Sequence, residues 1–272
     1  MFWFLEKEMG EKVALEVVDV CAAWKKQKVL ENINLKVEKG ELLCLSGPNG
    51  AGKSTLLTVM SGIDGQNLKK TGTVLIDGKD IKAFNRKALS TKLSYLTQKE
   101  SCLWNYSVQE LVLMGRFCHT NSTGFYSEAD YKVTDDIIKR VQIESLRNKK
   151  IFELSGGEFQ KVRIARCLAQ ESDYLLLDEP VANLDFTYQD QLLNLLKELA
   201  KEKNIGIAVS IHDLNTAVRF ADKMALLPRQ KPCFTGTVDE VMVTDLLEKV
   251  YEGQRFGTFI HPEYKCLQMY TL

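Results

Sequence analysis

A glycine-punctuated segment carries the clearest chemical signal in the sequence. Residues 47–54 read Gly-Pro-Asn-Gly-Ala-Gly-Lys-Ser, which fits the pattern G-x-x-x-x-G-K-[ST] between an apolar strand and a predicted helix. Small residues let backbone N–H groups turn inward around an anion, and the helix start adds the positive end of its dipole. Lys53 can reach β- and γ-phosphates, and Ser54 can ligate Mg²⁺. This phosphate loop, Gly47–Ser54, is therefore predicted to bind a nucleoside triphosphate. The predicted contacts are Gly47, Pro48, Asn49, Gly50, Ala51, Gly52, Lys53, Ser54 and Thr55.

Two acidic residues follow an apolar strand later in the chain. The strand Tyr174–Leu177 ends in Asp178 and Glu179, at the carboxyl end where open α/β sheets bind ligands. An acidic pair after a strand is weak evidence by itself, since many strands end in exposed acids. It becomes strong evidence for a nucleotide site because the same chain has a phosphate loop. Asp178 is predicted to hold Mg²⁺, and Glu179 to polarise the attacking water.

A second candidate anion site lies in residues 154–160, Leu-Ser-Gly-Gly-Glu-Phe-Gln. Ser155 and Glu158 have capping-box spacing, and Gly156 and Gly157 leave backbone N–H groups accessible, although a plain helix cap has the same pattern. Together with the phosphate loop, the segment resembles the signature motif of ATP-binding cassette (ABC) ATPases. Because the phosphate loop already holds one γ-phosphate, we expect Ser155, Gly156, Gly157 and Glu158 to contact the ATP of another copy. This predicts a head-to-tail homodimer with two shared sites.

The resemblance runs from about Leu15 to Tyr251 and includes two motifs near the phosphate loop. Trp24 matches the aromatic residue that stacks on adenine in the family, although a packed tryptophan is the structural alternative. Gln98 resembles the Q-loop glutamine, which contacts Mg²⁺ or water and links the site to the helical subdomain facing a membrane partner. These positions are expected to serve as nucleotide and metal contacts.

Two further family motifs follow the acidic pair. Asp185, in Asn-Leu-Asp, resembles the D-loop aspartate that crosses to the other subunit's phosphate loop. His212, at the end of an apolar strand, resembles the switch histidine that senses the γ-phosphate. The resemblance thus implies a catalytic set of Lys53, Gln98, Glu179 and His212, with Mg²⁺ held by Ser54, Gln98 and Asp178.

One segment indicates a subgroup within the family. Residues 108–119 resemble the V-x-E-x-V-x-x-G-R-x-P-H stretch of subunits that energise import of iron–siderophore, haem and cobalamin complexes, with Cys118 in place of the usual proline. Arg116 and His119 could be a solvated helix end or could act directly in coupling. The turn Pro228–Pro232 replaces a glycine-containing turn, and we expect an altered hairpin there with no consequence for ATP chemistry.

The resemblance implies an ATP-binding and ATP-hydrolysing subunit of an ABC importer. ATP-driven dimer closure would drive uptake of a metal chelate through a separate polytopic membrane permease, fed by an external substrate-binding protein. The expected location is the cytoplasmic face of the cell membrane. Two alternatives stay open: a soluble ABC ATPase of cofactor assembly or another non-transport role, and the ATPase of an importer or exporter for another cargo.

The elements that must position these motifs follow a recognisable order. Short strands dominate residues 13–46, the middle is helical, and strands and helices alternate from Tyr174 onward, which favours a parallel sheet. We predict an α/β fold: an ABC-type P-loop ATPase core with an N-terminal antiparallel β subdomain and an inserted helical subdomain. A single nucleotide-binding domain is expected over 1–272. The predicted division is 13–100 and 166–252 for the β subdomain and core, 101–165 for the helical subdomain, and 253–272 for a tail.

Composition excludes several other classes. The 272 residues carry 36 Lys+Arg and 36 Asp+Glu, so the balanced charge gives no support for a nucleic-acid partner. No apolar run approaches the roughly 20 residues that span a bilayer, and the N-terminal segment from Met1 lacks the pattern of a secretory signal. The seven cysteines are scattered without a C-x-x-C pair, which predicts reduced thiols rather than disulfides or a zinc site.

Overall fold

A computed structural model describes residues 13–63, 65–100, 102–121 and 124–272. The N-terminal segment examined for a secretory signal lies outside these ranges. The strands are β1 (Ala14–Trp24), β2 (Gln27–Glu38), β3 (Leu42–Ser46), β4 (Leu68–Ile76), β5 (Lys79–Asp80), β6 (Leu93–Leu96), β7 (Tyr174–Asp178), β8 (Gly206–Ser210), β9 (Lys223–Leu226), β10 (Phe234–Thr237), β11 (Phe256–Ile260) and β12 (Leu267–Thr271). The helices are α1 (Lys53–Met60), α2 (Arg86–Lys92), α3 (Val108–Leu113), α4 (Glu128–Arg140), α5 (Gly156–Ala169), α6 (Phe186–Glu202), α7 (Leu214–Phe220), α8 (Val238–Val241) and α9 (Thr244–Val250).

The first strands form an antiparallel sheet in the order β2-β1-β4-β5. Its inner face buries alternating apolar residues such as Leu15, Val17, Ile33 and Leu35, the period of two that a sheet with one covered face requires. This face packs over α1 and one side of the central sheet. The antiparallel subdomain predicted from the sequence is confirmed.

The central sheet has the order β10-β9-β3-β8-β7-β6. Its strands β6, β7, β8, β3 and β9 pair in parallel, and β10 adds an antiparallel edge. Every residue of β3, β7 and β8 is buried, as expected for a parallel sheet covered on both faces. The carboxyl ends of these strands meet at one edge, which brings Ser46, Asp178 and Ser210 together.

Helices α3, α4 and α5 form the helical region between β6 and β7, and Val108, Val112, Ile138 and Val162 share its apolar core. The capping box at the start of α3 is present, with the Ser107 side chain accepting from the Glu110 N–H. The α/β class with helices and an antiparallel subdomain is thus as predicted. The proposed domain boundaries stay a prediction.

The structure removes one of the two alternatives for Arg116 at the end of this region. This arginine is 6% exposed, so it is not a solvated helix end; its guanidinium binds Asp130 at 3.0 Å and Glu171 and the Ala169 carbonyl at 2.8 Å. Burial opposes ionisation of Asp130, but hydrogen bonds from Ser127 and Arg116 outweigh it and hold the carboxyl pKa below its ordinary value. Arg116 therefore joins the end of α5 to α4.

The tail beyond α9 folds as an antiparallel hairpin, β11–β12. Asn215 on α7 makes a reciprocal pair of hydrogen bonds with the Met269 backbone at 2.9 and 3.0 Å, so the tail packs on the helix that follows His212. None of the helices in the described ranges is long and apolar enough to cross a membrane. All seven cysteines are free thiols, as expected.

Candidate active site

The phosphate loop connects β3 to α1. At two of its glycine positions, a side chain would clash with neighbouring residues. Gly52 caps α1 with φ 101°, and a Cβ there would lie 2.6 Å from Leu30 Cδ2. At Gly47 a Cβ would lie 2.4 Å from the Leu227 carbonyl oxygen. Larger residues at either position would force the loop away from the sheet. The loop is thus held tightly against β2 and the end of β9.

Lys53 opens α1 and is 7% exposed. Its Nζ donates to the Gly47 carbonyl at 2.8 Å and to the Pro48 carbonyl at 3.3 Å. Burial lowers the pKa of the ammonium, while the carboxylates of Glu179 and Asp178 oppose that shift. The lysine charge therefore lies inside the loop, close to the acidic pair.

Asp178 ends β7 and is 1% exposed. Ser210 Oγ, at the end of the neighbouring strand β8, donates to Asp178 Oδ1 at 2.7 Å. Burial raises the pKa of Asp178, and hydrogen bonds from Ser54 and Ser210 counteract it. Hydroxyl and carboxylate oxygens are the hard donors that Mg²⁺ prefers, so Ser54 and Asp178 fit the predicted ion.

Glu179 follows with φ 49°, a left-handed conformation that costs a non-glycine residue free energy and is frequent at functional sites. Its backbone N–H donates to Ser210 Oγ at 2.8 Å, and Gln98 Nε2 donates to Glu179 Oε2 at 2.9 Å. The Ser210 hydroxyl therefore links both acids of the pair. The structure brings Gln98 and Glu179 into direct contact.

His212 reaches the phosphate loop from the end of β8. Its Nε2 lies 3.1 Å from Asn49 Oδ1, within hydrogen-bond distance. A cleft of about 230 Å³ lies beside it, lined by Glu179, Asn183 and Ser210 among others. Four predicted residues from outside the loop thus lie beside Lys53 and the other loop residues: Gln98, Asp178, Glu179 and His212.

Trp24, at the end of β1, is half-buried. Its indole Nε1 donates to Thr55 Oγ1 at 3.0 Å, and its ring edge packs so closely on Gly65 that a Cβ there would lie 2.6 Å from Cη2. The tryptophan therefore lies next to α1, and its ring packs on Gly65 and is hydrogen-bonded to Thr55. Its contact with adenine stays a prediction.

The signature segment starts α5. Ser155 and Glu158 form the predicted capping box: the Glu158 N–H donates to Ser155 Oγ at 3.3 Å, and the Ser155 N–H donates to Glu158 Oε2 at 2.8 Å. These bonds lower the pKa of the Glu158 carboxyl. Ser155 and Gly156 are exposed. Among the described residues, no hydrogen bond or ion pair joins this segment to the phosphate loop of the same chain.

The segment that resembles a D-loop packs beside this helix start. A Cβ at Gly157 would lie 3.1 Å from the Asn183 carbonyl oxygen, so the small residue permits the close approach. Asp185 is exposed and caps α6, accepting from the Tyr188 N–H at 2.9 Å. Both exposed motifs therefore lie side by side.

A cluster that sequence reasoning missed joins the Gln98 loop to α5. Glu100 accepts from both Arg166 Nη atoms at 2.7 Å and from Arg163 Nε at 3.2 Å. Burial raises the Glu100 pKa, but the two arginines outweigh it and lower the pKa overall. Arg163 also donates to the Thr97 carbonyl at 2.5 Å. The residues on both sides of Gln98 are thus bonded to the helix that begins at the signature segment.

Comparison with known proteins assigns the family. The ABC transporter family profile matches residues 30–182. The petrobactin import ATP-binding protein YclP of Bacillus subtilis is 35% identical over 255 residues, 90% of this chain and 99% of that protein. The chain belongs to the ABC transporter family. Another relative of this ABC protein, the iron(3+)-hydroxamate import ATP-binding protein FhuC of Bacillus subtilis, is 36% identical over 82% of each chain.

Solved structures agree with this assignment. A transporter described as metal-chelate type, in an inward-facing conformation, matches with TM-score 0.79 and 27% identity over 95% of this chain and 97% of that one. A dimeric ATP-binding cassette in a post-hydrolysis state with ADP and Pi matches with TM-score 0.72 and 26% identity, over 82% of this chain and 98% of that one. This ABC protein is therefore an ATP-binding subunit with an ATPase fold and activity.

Proposed function

We propose that this chain is the ATP-hydrolysing subunit of an importer for a metal chelate, working as a head-to-tail homodimer on a membrane permease. The main support for ATP hydrolysis is the hydrogen bond from Gln98 Nε2 to Glu179 Oε2, 2.9 Å long, at a site that also contains Lys53 and His212. A carboxylate held in this way can orient water toward a γ-phosphate in the adjacent loop.

Each residue of the site then has a role. Lys53 and the loop amides bind the phosphates, Trp24 stacks on the adenine, and Glu179 accepts a proton from the attacking water. His212 stabilises the charge that develops on the γ-phosphate. Ser54, Gln98 and Asp178 would hold Mg²⁺, which supplies charge neutralisation on the phosphate oxygens.

The dimer proposal follows from the exposed signature segment. Gly156 is exposed at the first position of a 14-residue helix, where a backbone N–H has no partner within the helix. Among the described residues, no hydrogen bond or ion pair joins it to the phosphate loop of its own chain. A second copy supplies the anion that such a helix start favours. The similarity to a dimeric cassette with ADP and Pi supports this arrangement, with Asp185 reaching the partner.

The proposed permease contact is a groove between α2 and the segment Met114–His119. The groove has a volume of about 470 Å³, and Phe117 beside it is 66% exposed. Lys87 crosses one end, with its Nζ donating to the Thr120 carbonyl at 2.6 Å. An exposed aromatic ring beside a groove favours a partner's helix with an apolar side. Gln170, which follows α5, lines the groove, and α5 also carries the arginines that bind Glu100. A partner docked in the groove would therefore contact the same helical region that holds the Gln98 loop.

The cargo class rests on the relatives. YclP and FhuC are named for petrobactin and iron(3+)-hydroxamate import, and the structural neighbour is described as metal-chelate type. We propose the same class of cargo for this chain, delivered by an external binding protein, and a peripheral position at the cytoplasmic face of the membrane.

A pull-down tests the transport part. Tagged Glu179→Gln protein with ATP and Mg²⁺ is incubated with detergent-solubilised native membranes, and retained proteins are identified by mass spectrometry. Recovery of a many-helix permease supports the proposal, and Phe117→Asp should abolish it. Phe259→Asp, at an exposed phenylalanine on the tail hairpin, is the matched control. Recovery of soluble partners alone would overturn transport and leave the ATPase assignment in place.

A further inference from the structure

The turn Pro228–Pro232 lies against the phosphate loop. The Leu227 N–H donates to the Ser46 carbonyl at 2.8 Å, and a Cβ at Gly47 would lie 2.4 Å from the Leu227 carbonyl oxygen. The end of β9 is therefore fixed directly beside the start of the loop. The turn that follows has little freedom to move away, since prolines at both ends fix their φ angles.

Within this turn, Arg229 contacts the phosphate loop directly. Its Nη2 and Nε donate to the Asn49 carbonyl oxygen at 3.0 and 3.3 Å. The side chain of the same Asn49 lies 3.1 Å from His212 Nε2. One residue of the loop is thus held through its backbone by Arg229 and through its side chain by the switch histidine.

A neighbouring ion pair anchors the turn from the other side. Lys231 Nζ lies 2.7 Å from Glu252 Oε1, and Glu252 follows α9. Both side chains are mostly exposed, so the pair is weak. Among the described residues, Lys231 makes no hydrogen bond to the phosphate loop. It offers a matched comparison for Arg229: a cation of the same turn that lacks the loop contact.

The geometry of the peptide bond gives the Arg229 contact a consequence. In a planar trans peptide, the carbonyl of one residue and the N–H of the next point in opposite directions. Because the Asn49 carbonyl points outward to Arg229, the Gly50 N–H points toward the inside of the loop. Gly50 has φ +80°, a conformation that few other residues would hold without help.

We propose that Arg229 is a positioning residue for nucleotide binding: its guanidinium fixes the Asn49–Gly50 peptide so that the Gly50 N–H is preorganised for a phosphate. The inference rests on the proposed nucleotide site. It reverses the expectation that this turn has no consequence for ATP chemistry. Preorganised donors bind an anion without a reorganisation cost, so Arg229 contributes mainly to ATP affinity and less to the chemical step.

The test compares Arg229→Ala, Arg229→Lys and Lys231→Ala in the full chain. Loss of a charge-assisted hydrogen bond at an exposed site should raise the KM for ATP about three- to tenfold in Arg229→Ala, with kcat within about twofold of wild type. Arg229→Lys should keep most of the defect, because an ammonium lacks the planar fork. Lys231→Ala removes the same charge from the same turn and should have a wild-type KM.

A second readout needs no ATP hydrolysis. Hydrogen exchange of the nucleotide-free chain should be faster at residues 49–52 in Arg229→Ala, with exchange in β7 and the thermal midpoint unchanged. A wild-type KM and exchange pattern in Arg229→Ala, full rescue by lysine, or an equal defect in Lys231→Ala would each overturn the proposal. Wild-type protein that fails to bind ATP would instead refute the proposed function, while the exchange result would still report on the contact.

Discussion

Gln98 Nε2 donates to Glu179 Oε2 at 2.9 Å, although 81 positions separate the two residues. The bond connects the loop after β6 to the carboxylate at the end of β7. Two residues further on, Glu100 is clamped by arginines of α5. The proposed catalytic carboxylate therefore lies at one end of a continuous path to the helix that starts at the signature segment.

Replacing Glu179 by glutamine tests its proposed role as the water-orienting base. The amide preserves the shape and a hydrogen bond to Gln98 but cannot accept the proton, so turnover should fall about 10²–10⁴-fold while ATP affinity is retained. Bound ATP that is not hydrolysed should also trap the dimer. Turnover is measured by phosphate release, and the dimer by light scattering with ATP and Mg²⁺.

Glu248→Gln provides the control for that substitution, since this exposed glutamate on α9 lies outside the proposed site. It should leave turnover and association unchanged. Near-normal hydrolysis by Glu179→Gln would remove Glu179 from its assigned role.

Ser210 should matter for both stability and turnover. Its Oγ donates to Asp178 and accepts from the Glu179 N–H, so Ser210→Ala removes one of the two hydroxyl hydrogen bonds to the buried Asp178 carboxylate and leaves the Glu179 N–H without this acceptor. We expect a loss of about 1–3 kcal/mol in the free energy of unfolding. Because the Ser210 hydrogen bond opposes the burial that raises the Asp178 pKa, its loss should move the acid limb of the pH–rate profile to higher pH.

Ser94→Ala separates this effect from the loss of any buried hydroxyl. Ser94 is 1% exposed and donates to the Cys167 carbonyl, away from both carboxylates. It should lower stability and leave the pH–rate profile in place. An unshifted acid limb in Ser210→Ala would argue against the link between Ser210 and the acidic pair.

Short contiguous patterns made much of this structure predictable. The phosphate loop, the acids after β7 and the Ser155–Glu158 capping box each depend on neighbours in sequence, and alternation of strands and helices indicated the parallel sheet. Ser210 and Arg229 could not be found in this way. A serine at a strand end and an arginine in a turn fit many environments, and only the packing of distant segments brings them to the site.

The same reason explains why the sequence could not decide between the two alternatives for Arg116. A Gly-Arg pair after a helix is typical of a solvated end, and nothing local indicates that Asp130 and Glu171 converge on the guanidinium. Burial of a charge depends on distant partners. The packing of the tail could not be predicted from the sequence either. The reciprocal bonds between Asn215 and the Met269 backbone join distant segments and leave no contiguous pattern.

Asp130 should give acid sensitivity to the helical region. Its pKa is lowered in the folded chain from the ordinary value of 3.8, so its stabilising contribution is complete above that value and is lost as the pH falls through the lower folded pKa. Asp130→Asn should cost about 1–3 kcal/mol near neutral pH, because Arg116 loses one charged hydrogen-bond partner and keeps Glu171. Urea unfolding at several pH values should show a shallower acid decline in the variant than in wild type. An equally steep decline would mean that other carboxylates, such as Asp173, account for the acid sensitivity.

Complementation between two inactive variants tests the shared site. Ser155→Arg places a bulky cation at the exposed signature segment, which should block hydrolysis with little loss of ATP affinity in the monomer. Lys53→Ala should lose ATP binding at its own loop.

Each homodimer should be inactive, but a head-to-tail heterodimer has one site with an intact Lys53 and an intact Ser155. Mixing the two variants should therefore restore part of the ATPase rate, up to about a quarter if subunits assort randomly and sites act independently. Normal turnover by Ser155→Arg alone would mean that the segment takes no part in hydrolysis. An inactive mixture that still forms heterodimers with ATP would mean that the segment does not complete the partner's site, so either result would contradict the shared site.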